Sequence, residues 1–184
     1  EKGTRYLPDE PPARRDLNRN FPKTDSDEST RGEPAQALWA LINKERPMWL
    51  IDLHEGYDFH QLNSDSVGSS IIDTHDKAAS KVVPIMLRMV NADITEPKKK
   101  LVRLRYPVDG SLARAAHERL KASAMILETT TKEQSLSKRI RQHRQMVHAF
   151  LRHLGMIAGS GNVMVPSETK ALRVAVYDAD GAGG

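Results

Sequence analysis

Two donor side chains stand next to each other near the start of the chain, within the run Arg14 to Pro22. Asn18 and Arg19 lie between Leu17 and a Phe-Pro pair that stops the segment. The guanidinium of arginine is a planar set of donors that suits a carboxylate, and the asparagine amide adds a neutral donor. Two such donors directed at one point would bind an anionic substrate end or a developing oxyanion. A solvated basic loop with Asn18 in a turn is the alternative that the pair alone leaves open.

An imidazole and a carboxylate each follow a short apolar run. His54 comes after Met48 to Leu53, and Glu128 comes after Ala124 to Leu127. A neutral imidazole is a good ligand for zinc. A carboxylate at the end of a buried run is partly desolvated, which suits it to accept a proton from an attacking water. Taken singly, a histidine at a strand end is usually structural or exposed, and the glutamate is equally well explained as a surface group.

Helices and apolar strands alternate along the chain. The helical spacing of apolar residues and the capping residues predict helices over 34–46, 76–90, 112–121 and 137–154. Short apolar or alternating runs predict strands over 48–53, 101–106 and 124–127. This alternation predicts an α/β sheet covered by helices on both faces. Ligands bind beyond the carboxyl ends of strands in such sheets, and we expect His54 and Glu128 at two such ends.

Three segments resemble one known superfamily, in the same order. The run Asp16 to Pro22 resembles the DLNRNFP signature of the zinc carboxypeptidases and of the related succinylglutamate desuccinylase and aspartoacylase deacylases. Ile51 to Glu55 and Tyr106 to Glu128 resemble two further segments of that superfamily, so the resemblance covers roughly residues 3 to 155. It implies a mixed, mostly parallel sheet with helices on both faces, and zinc-dependent hydrolysis of an amide bond next to a free carboxylate.

The resemblance implies catalytic roles for three side chains. His54 matches a zinc ligand of the superfamily, and Glu128 matches its general base and general acid. Arg5, in Thr-Arg-Tyr, resembles the arginine that polarises the scissile carbonyl. The expected cofactor is therefore Zn²⁺.

The same motifs imply how substrate is bound. Asn18 and Arg19 would hold the free carboxylate, and Tyr106, in Tyr-x-x-x-Gly-Ser, resembles a mobile tyrosine that closes over the substrate. The full Asn-Arg-Asn-Phe-Pro run favours a peptide carboxypeptidase, whereas Thr-Arg-Tyr favours an N-acyl amino acid deacylase. The expected partner is thus a peptide or an N-acyl amino acid with a free carboxylate, and we favour the carboxypeptidase.

The expected zinc ligands are not all in this chain. It has no cysteine, so any metal must be held by His, Asp or Glu. The superfamily uses an upstream His-x-x-Glu as well as the later histidine, and none of the 7 histidines here has Glu or Asp three residues on. Because a catalytic zinc needs three protein ligands, we expect the missing ligands to precede Glu1 and this chain alone to be inactive. A non-catalytic carboxylate-binding module is the alternative.

Composition argues against other classes of protein. Hydrophobic residues make up 39% of the 184, and no run approaches the roughly 18 apolar residues of a membrane span. The net charge is +4, but aromatic residues are only 5%, which leaves little surface for stacking bases. We therefore expect a soluble protein, either cytoplasmic or exported, with no membrane or nucleic-acid partner. A basic nucleic-acid-binding domain is the weaker alternative.

Both ends of the chain look cut, and the composition changes near residue 155. We expect residues 1–155 to form the C-terminal part of a zinc carboxypeptidase-like catalytic domain. A linker over 156–170 would follow. Residues 171–184 are strand-like and then glycine-rich, which predicts either the first strand of a further domain or a disordered tail.

Overall fold

A mixed sheet forms the centre of the structure, a computed structural model that describes residues 15–24 and 30–158. Its four strands within those residues are β1 (Trp49–Gly56), β2 (Ser70–Asp73), β3 (Val102–Leu104) and β4 (Ser123–Thr130). They lie in the order β1-β4-β2-β3. β1 runs parallel to β4 and β2 parallel to β3, whereas β2 and β4 are antiparallel. The prediction of a mixed, mostly parallel sheet is confirmed.

Helices cover both faces of this sheet, as predicted. They are α1 (Glu33–Glu45), α2 (Ala79–Asn91), α3 (Leu112–Leu120) and α4 (Leu136–His153). Successive side chains of a strand point to opposite faces, and β4 uses both. Met125 and Leu127 pack with α2 and α4, while Ala124 and Ile126 pack with α3. Each large side chain buried in this way contributes roughly 2 kcal/mol.

The central position of β4 explains its composition. Every residue from 124 to 130 is buried, and a strand covered on both faces is expected to be nearly continuously apolar. On the α3 side the contacts are made by small residues, because Ala113, Ala115 and Ala116 are fully buried. Small side chains allow α3 to lie close to the sheet and to the segment around Phe21.

The strands differ from their predicted extents. β1 and β4 stay paired as far as Gly56 and Thr130. His54 and Glu128 therefore lie inside these strands, two residues before the end of the pairing, instead of following them. β2 was not predicted, because four residues after a Ser/Gly-rich loop carry no periodic signal. Its strand conformation is fixed by pairing with β3 and β4.

Local capping explains where the helices begin. The Ser111 side chain accepts a hydrogen bond from the backbone of Arg114 and caps α3 as predicted. Ser135 caps α4, slightly earlier than predicted. At the start of α2, Asp76 Oδ1 accepts hydrogen bonds from the backbone N–H groups of Ala78 and Ala79. Pro84 lies inside this helix.

Part of the predicted domain organisation lies outside the described residues. This applies to the segment 171–184 and to most of the linker 156–170, so the division remains a prediction. α4 ends beside Gly155, whose φ of 70° is the left-handed conformation favoured after a helix. No helix in the described ranges has the length and apolar character needed to cross a membrane.

Candidate active site

Asn18 is held by its own segment and by the start of α3. It lies in a short 3₁₀ helix, Leu17–Arg19, and its backbone N–H donates to the carboxylate of Asp16 at 3.0 Å. The backbone N–H of Leu112, at the start of α3, donates to Asn18 Oδ1 at 2.9 Å. Because the carbonyl end of the amide faces α3, its NH₂ end is the one available to a ligand. Asn18 is only 6% exposed, so this orientation is fixed by packing.

Arg19 lies beside it at the surface of the same segment. Its Nη1 donates to the backbone carbonyl of Asn18 at 2.7 Å, and the same nitrogen lies 3.7 Å from Asp16 Oδ2. The side chain is 42% exposed. The guanidinium is therefore oriented by its own segment and remains accessible to an anion.

His54 and Glu128 occupy the same register of neighbouring strands. The two residues are cross-strand partners of β1 and β4, so their side chains leave the sheet on the same face. His54 Nδ1 lies 3.7 Å from Glu128 Oε1, and His54 Nε2 lies 2.8 Å from Asp52 Oδ2. The Asp52 carboxylate is placed to accept a hydrogen bond from Nε2–H, and Nδ1 is the nitrogen that faces Glu128. The Glu128 side chain is 5% exposed.

The segment after β3 forms another wall of the site. The Tyr106 ring packs edge-on against His117, and the guanidinium of Arg114 lies 5.2 Å from the ring centre. Burial, reinforced by the charge of Glu118, raises the pKa of Tyr106. The hydroxyl therefore stays protonated at neutral pH and can donate a hydrogen bond.

Gly110 explains the glycine in the Tyr-x-x-x-Gly-Ser motif. Its φ is 79°, and a Cβ at this position would come within 2.8 Å of the backbone oxygen of Arg19. Its own carbonyl accepts a hydrogen bond from the backbone of Phe21 at 3.0 Å. The glycine thus allows the 106–111 loop to lie directly against the segment that carries Asn18 and Arg19.

These segments surround one cavity of about 200 Å³. Among the residues that line it are five whose roles were predicted from sequence: Asn18, Arg19, His54, Tyr106 and Glu128. The structure therefore brings them together, while their roles remain predictions. Arg5, the sixth, lies outside the described residues.

A second cavity, of about 220 Å³, lies on the other side of Asn18 and His54. Asp52 also lines this cavity, and the rest of its wall is apolar: Leu17, Phe21, Leu38 and Leu112. His54 consequently spans two cavities, with Nε2 on the Asp52 side and Nδ1 on the Glu128 side.

Sequence reasoning missed two residues of the site, Asp52 and Arg105. Asp52 precedes His54 by two positions, and in a strand that spacing places both side chains on one face. The signal was therefore present once β1 was recognised. Arg105 lines the cavity of Glu128, and nothing in the sequence distinguishes it from other surface arginines.

Zinc, the metal implied by the motifs, fits the described residues only in part. His54 offers Nδ1, and the carboxylate on Nε2 is the usual second partner of a metal-binding histidine. In residues 15–24 and 30–158, however, no three His, Asp or Glu side chains form a group able to hold a metal ion. The described part of the chain supplies one candidate ligand and is not a zinc site by itself.

The solved structures to which the chain is similar include several of Csd4 from Helicobacter pylori. The tripeptide-bound cell shape determinant Csd4 has a TM-score of 0.64 at 21% identity over 77% of this chain and 39% of its own. The mDAP-bound form of Csd4, a D,L-carboxypeptidase, has a TM-score of 0.62 at 21% identity over 77% and 38%. The chain thus spans about two fifths of the length of these structures. No protein-family model matches the chain, and no curated protein matches its sequence. The chain has a zinc carboxypeptidase-like fold, as its motifs predicted.

Proposed function

We propose that the protein containing this chain is a zinc-dependent hydrolase that cleaves an amide bond next to a free carboxylate, most simply a carboxypeptidase. The observation that carries this proposal is the cavity in which Asn18 and Arg19 lie with His54 and Glu128. It combines donors for an anion, one candidate metal ligand and a buried acid. The zinc carboxypeptidase-like fold supports the proposal.

Substrate binding depends on Asn18 and Arg19. The substrate carboxylate accepts hydrogen bonds from the guanidinium of Arg19 and from the NH₂ of Asn18. The carbonyl of Asn18 is already occupied by the backbone of Leu112, so the amide presents donors and no acceptor to the carboxylate. Tyr106 adds a neutral hydroxyl donor at the wall of the cavity.

Proton transfer depends on Glu128. Its carboxylate takes a proton from the attacking water as the water oxygen bonds to the scissile carbon. It then gives that proton to the amine nitrogen as the carbon–nitrogen bond breaks, so the products are a carboxylic acid and a free amine. Burial in β4 excludes competing water from the carboxylate. The carbonyl-polarising role predicted for Arg5 belongs to the same step and stays a prediction.

His54 is the one residue of the described chain that we assign to zinc binding. Its Nδ1 would hold the metal, with Asp52 fixing the ring through Nε2. Any further zinc ligands would have to come from outside the described residues. When bound, zinc lowers the pKa of a coordinated water to about 7.

The neighbours suggest a substrate class. Structures of Csd4 contain a tripeptide or mDAP, and that protein is a D,L-carboxypeptidase. We extend this to the present chain and propose peptidoglycan-type peptides as substrates.

The test is hydrolysis of peptides with a blocked N-terminus and a free C-terminal carboxylate, by the protein in its full natural length. Glu128→Gln keeps the size of the side chain and removes the proton acceptor, so we expect the rate to fall about a thousandfold. Removal of zinc by a chelator should abolish the wild-type rate, and added zinc should restore it. Arg152→Gln, at the exposed far end of α4, is the control and should leave the rate unchanged. Equal zinc-dependent rates for wild type and Glu128→Gln would contradict the proposal.

The alternatives give different outcomes in the same assay. An N-acyl amino acid deacylase would hydrolyse an N-acyl aspartate faster than a C-terminal dipeptide. A non-catalytic module would bind the peptide through Arg19, and it would release no product even at high protein concentration. Both results would replace the carboxypeptidase assignment while keeping the carboxylate-binding pair.

A further inference from the structure

We propose that Arg105 is a second anion-binding residue of the active-site cavity, and that the preferred substrate ends in a residue with an acidic side chain. This inference rests on the proposed function, because it takes Arg19 as the group that binds the terminal carboxylate. It adds a requirement at the same site, namely a second negative charge.

The position of Arg105 is the first support. It directly follows β3 and precedes Tyr106, and it lines the same cavity as Arg19 and Glu128. The residue is exposed. A guanidinium at this point can therefore reach a ligand in the cavity without displacing any packed group.

The contrast between Arg105 and the arginines around it in the described ranges is the second support. Arg103, two positions earlier, binds both carboxylate oxygens of Asp73 at 2.7 Å. Arg114 binds Glu118 at 2.9 Å. Arg105, in contrast, forms no ion pair within the described ranges of the chain. The arginines around it have structural partners, whereas Arg105 has none there.

The charge balance of the cavity is the third support. Its lining contains two arginines, Arg19 and Arg105, and one acid, Glu128. The proposed function assigns Glu128 to proton transfer and Arg19 to the terminal carboxylate. A substrate with one carboxylate would leave Arg105 without an anion, while a substrate with two would satisfy both guanidiniums through charge-assisted hydrogen bonds.

The remaining walls indicate what connects the two charges. The apolar residues lining the cavity are Val67, Ile72, Leu104, Val108 and Ile126. They can pack against the methylene groups of a side chain, and they offer no hydrogen-bond partner to a polar linker. The ligand class is therefore a short peptide whose last residue carries a carboxylate on an aliphatic stem.

The experiment is the affinity of the protein in its full natural length, freed of zinc by a chelator so that it cannot cleave them, for two matched peptides, measured by titration calorimetry. Acetyl-alanyl-glutamate and acetyl-alanyl-glutamine have the same shape and differ by one charge. We expect the glutamate peptide to bind about tenfold more tightly. Arg105→Gln should abolish that preference while leaving the affinity for the glutamine peptide unchanged within about twofold. Arg105→Lys, which keeps the charge but loses the planar fork, should retain part of the preference.

Two controls separate this inference from the proposed function. Arg19→Gln should weaken binding of both peptides, and Arg152→Gln should change neither. Equal affinity of the wild-type chain for the two peptides, or a preference that survives Arg105→Gln, overturns the inference alone. If neither peptide binds, or if Arg19→Gln has no effect on either, the proposed function fails and the inference fails with it.

Discussion

His54 and Glu128 form one cross-strand pair of β1 and β4, and Glu55 and Thr129 form the next. The two pairs are adjacent in the sheet and point to opposite faces. The first pair opens onto the cavity that Asn18, Arg19 and Tyr106 also line. The second contacts side chains of α4. Two polar pairs with nearly the same backbone thus have different surroundings.

Side chains of α4 contact both residues of the second pair. His143 Nε2 lies 3.2 Å from the hydroxyl of Thr129, and Arg139 forms an ion pair with Glu55. Burial lowers the pKa of His143, so its imidazole is neutral at physiological pH. These contacts hold α4 to the strands and supply partners for the polar groups of the second pair.

The comparison separates stabilising polar groups from functional ones. Both pairs are partly desolvated, and both include a carboxylate. On the α4 face a helix supplies the partners, whereas on the other face loops from distant parts of the chain leave an open cavity. Substitutions on the α4 face should therefore change stability, and those on the cavity face should change binding and catalysis.

The largest expected effect on stability is at Leu127, the neighbour of Glu128 that points to the α4 face. Leu127 is fully buried, so Leu127→Ala should lower the free energy of unfolding by about 3 kcal/mol. Urea denaturation measures this change. Leu136→Ala is the control, because Leu136 is 60% exposed and should cost less than about 0.5 kcal/mol. Similar losses for the two variants would contradict the assignment of the core.

Gly110→Ala should have the next largest effect. The added Cβ would lie within 2.8 Å of the Arg19 backbone, and the φ of 79° disfavours any side chain. We expect a loss of about 2 kcal/mol in unfolding free energy together with weaker peptide binding, because the segment of Arg19 must move. Gly155→Ala is matched in φ, at 70°, but its Cβ would meet nothing within 4 Å. It should cost about 1 kcal/mol and leave binding intact.

Thr129→Val should have the smallest effect. The substitution keeps the shape of the side chain and removes the hydroxyl that contacts His143, at an expected cost of about 1 kcal/mol measured by thermal unfolding. Peptide affinity should not change, since Thr129 points away from the cavity. Thr131→Val, at an exposed position, is the control and should cost less. Weaker peptide binding by Thr129→Val would show that the two faces are not independent.

Local signals explain which parts of the fold could be predicted. Pro34 lies in the first turn of α1 and Ser111 caps α3, and each signal acts within one turn of helix. β2 escaped prediction because its conformation depends on strands that lie far away in sequence. Asp52 is a different case, because it lies in the same strand as His54, two residues before it, and its 2.8 Å contact with that histidine could have been expected from the spacing alone.

The sequence by itself determined the chemical groups and the strands that carry them: an Asn-Arg pair in a distinctive motif, and His54 and Glu128 beside apolar runs. Only the tertiary structure decided that these groups share one cavity, which way the amide of Asn18 faces, and that Arg105 joins them. The physical reason is that such arrangements depend on contacts across long separations, such as the hydrogen bond from Leu112 to Asn18. Residue spacing cannot encode these contacts, because they form only when the sheet and α3 have packed together.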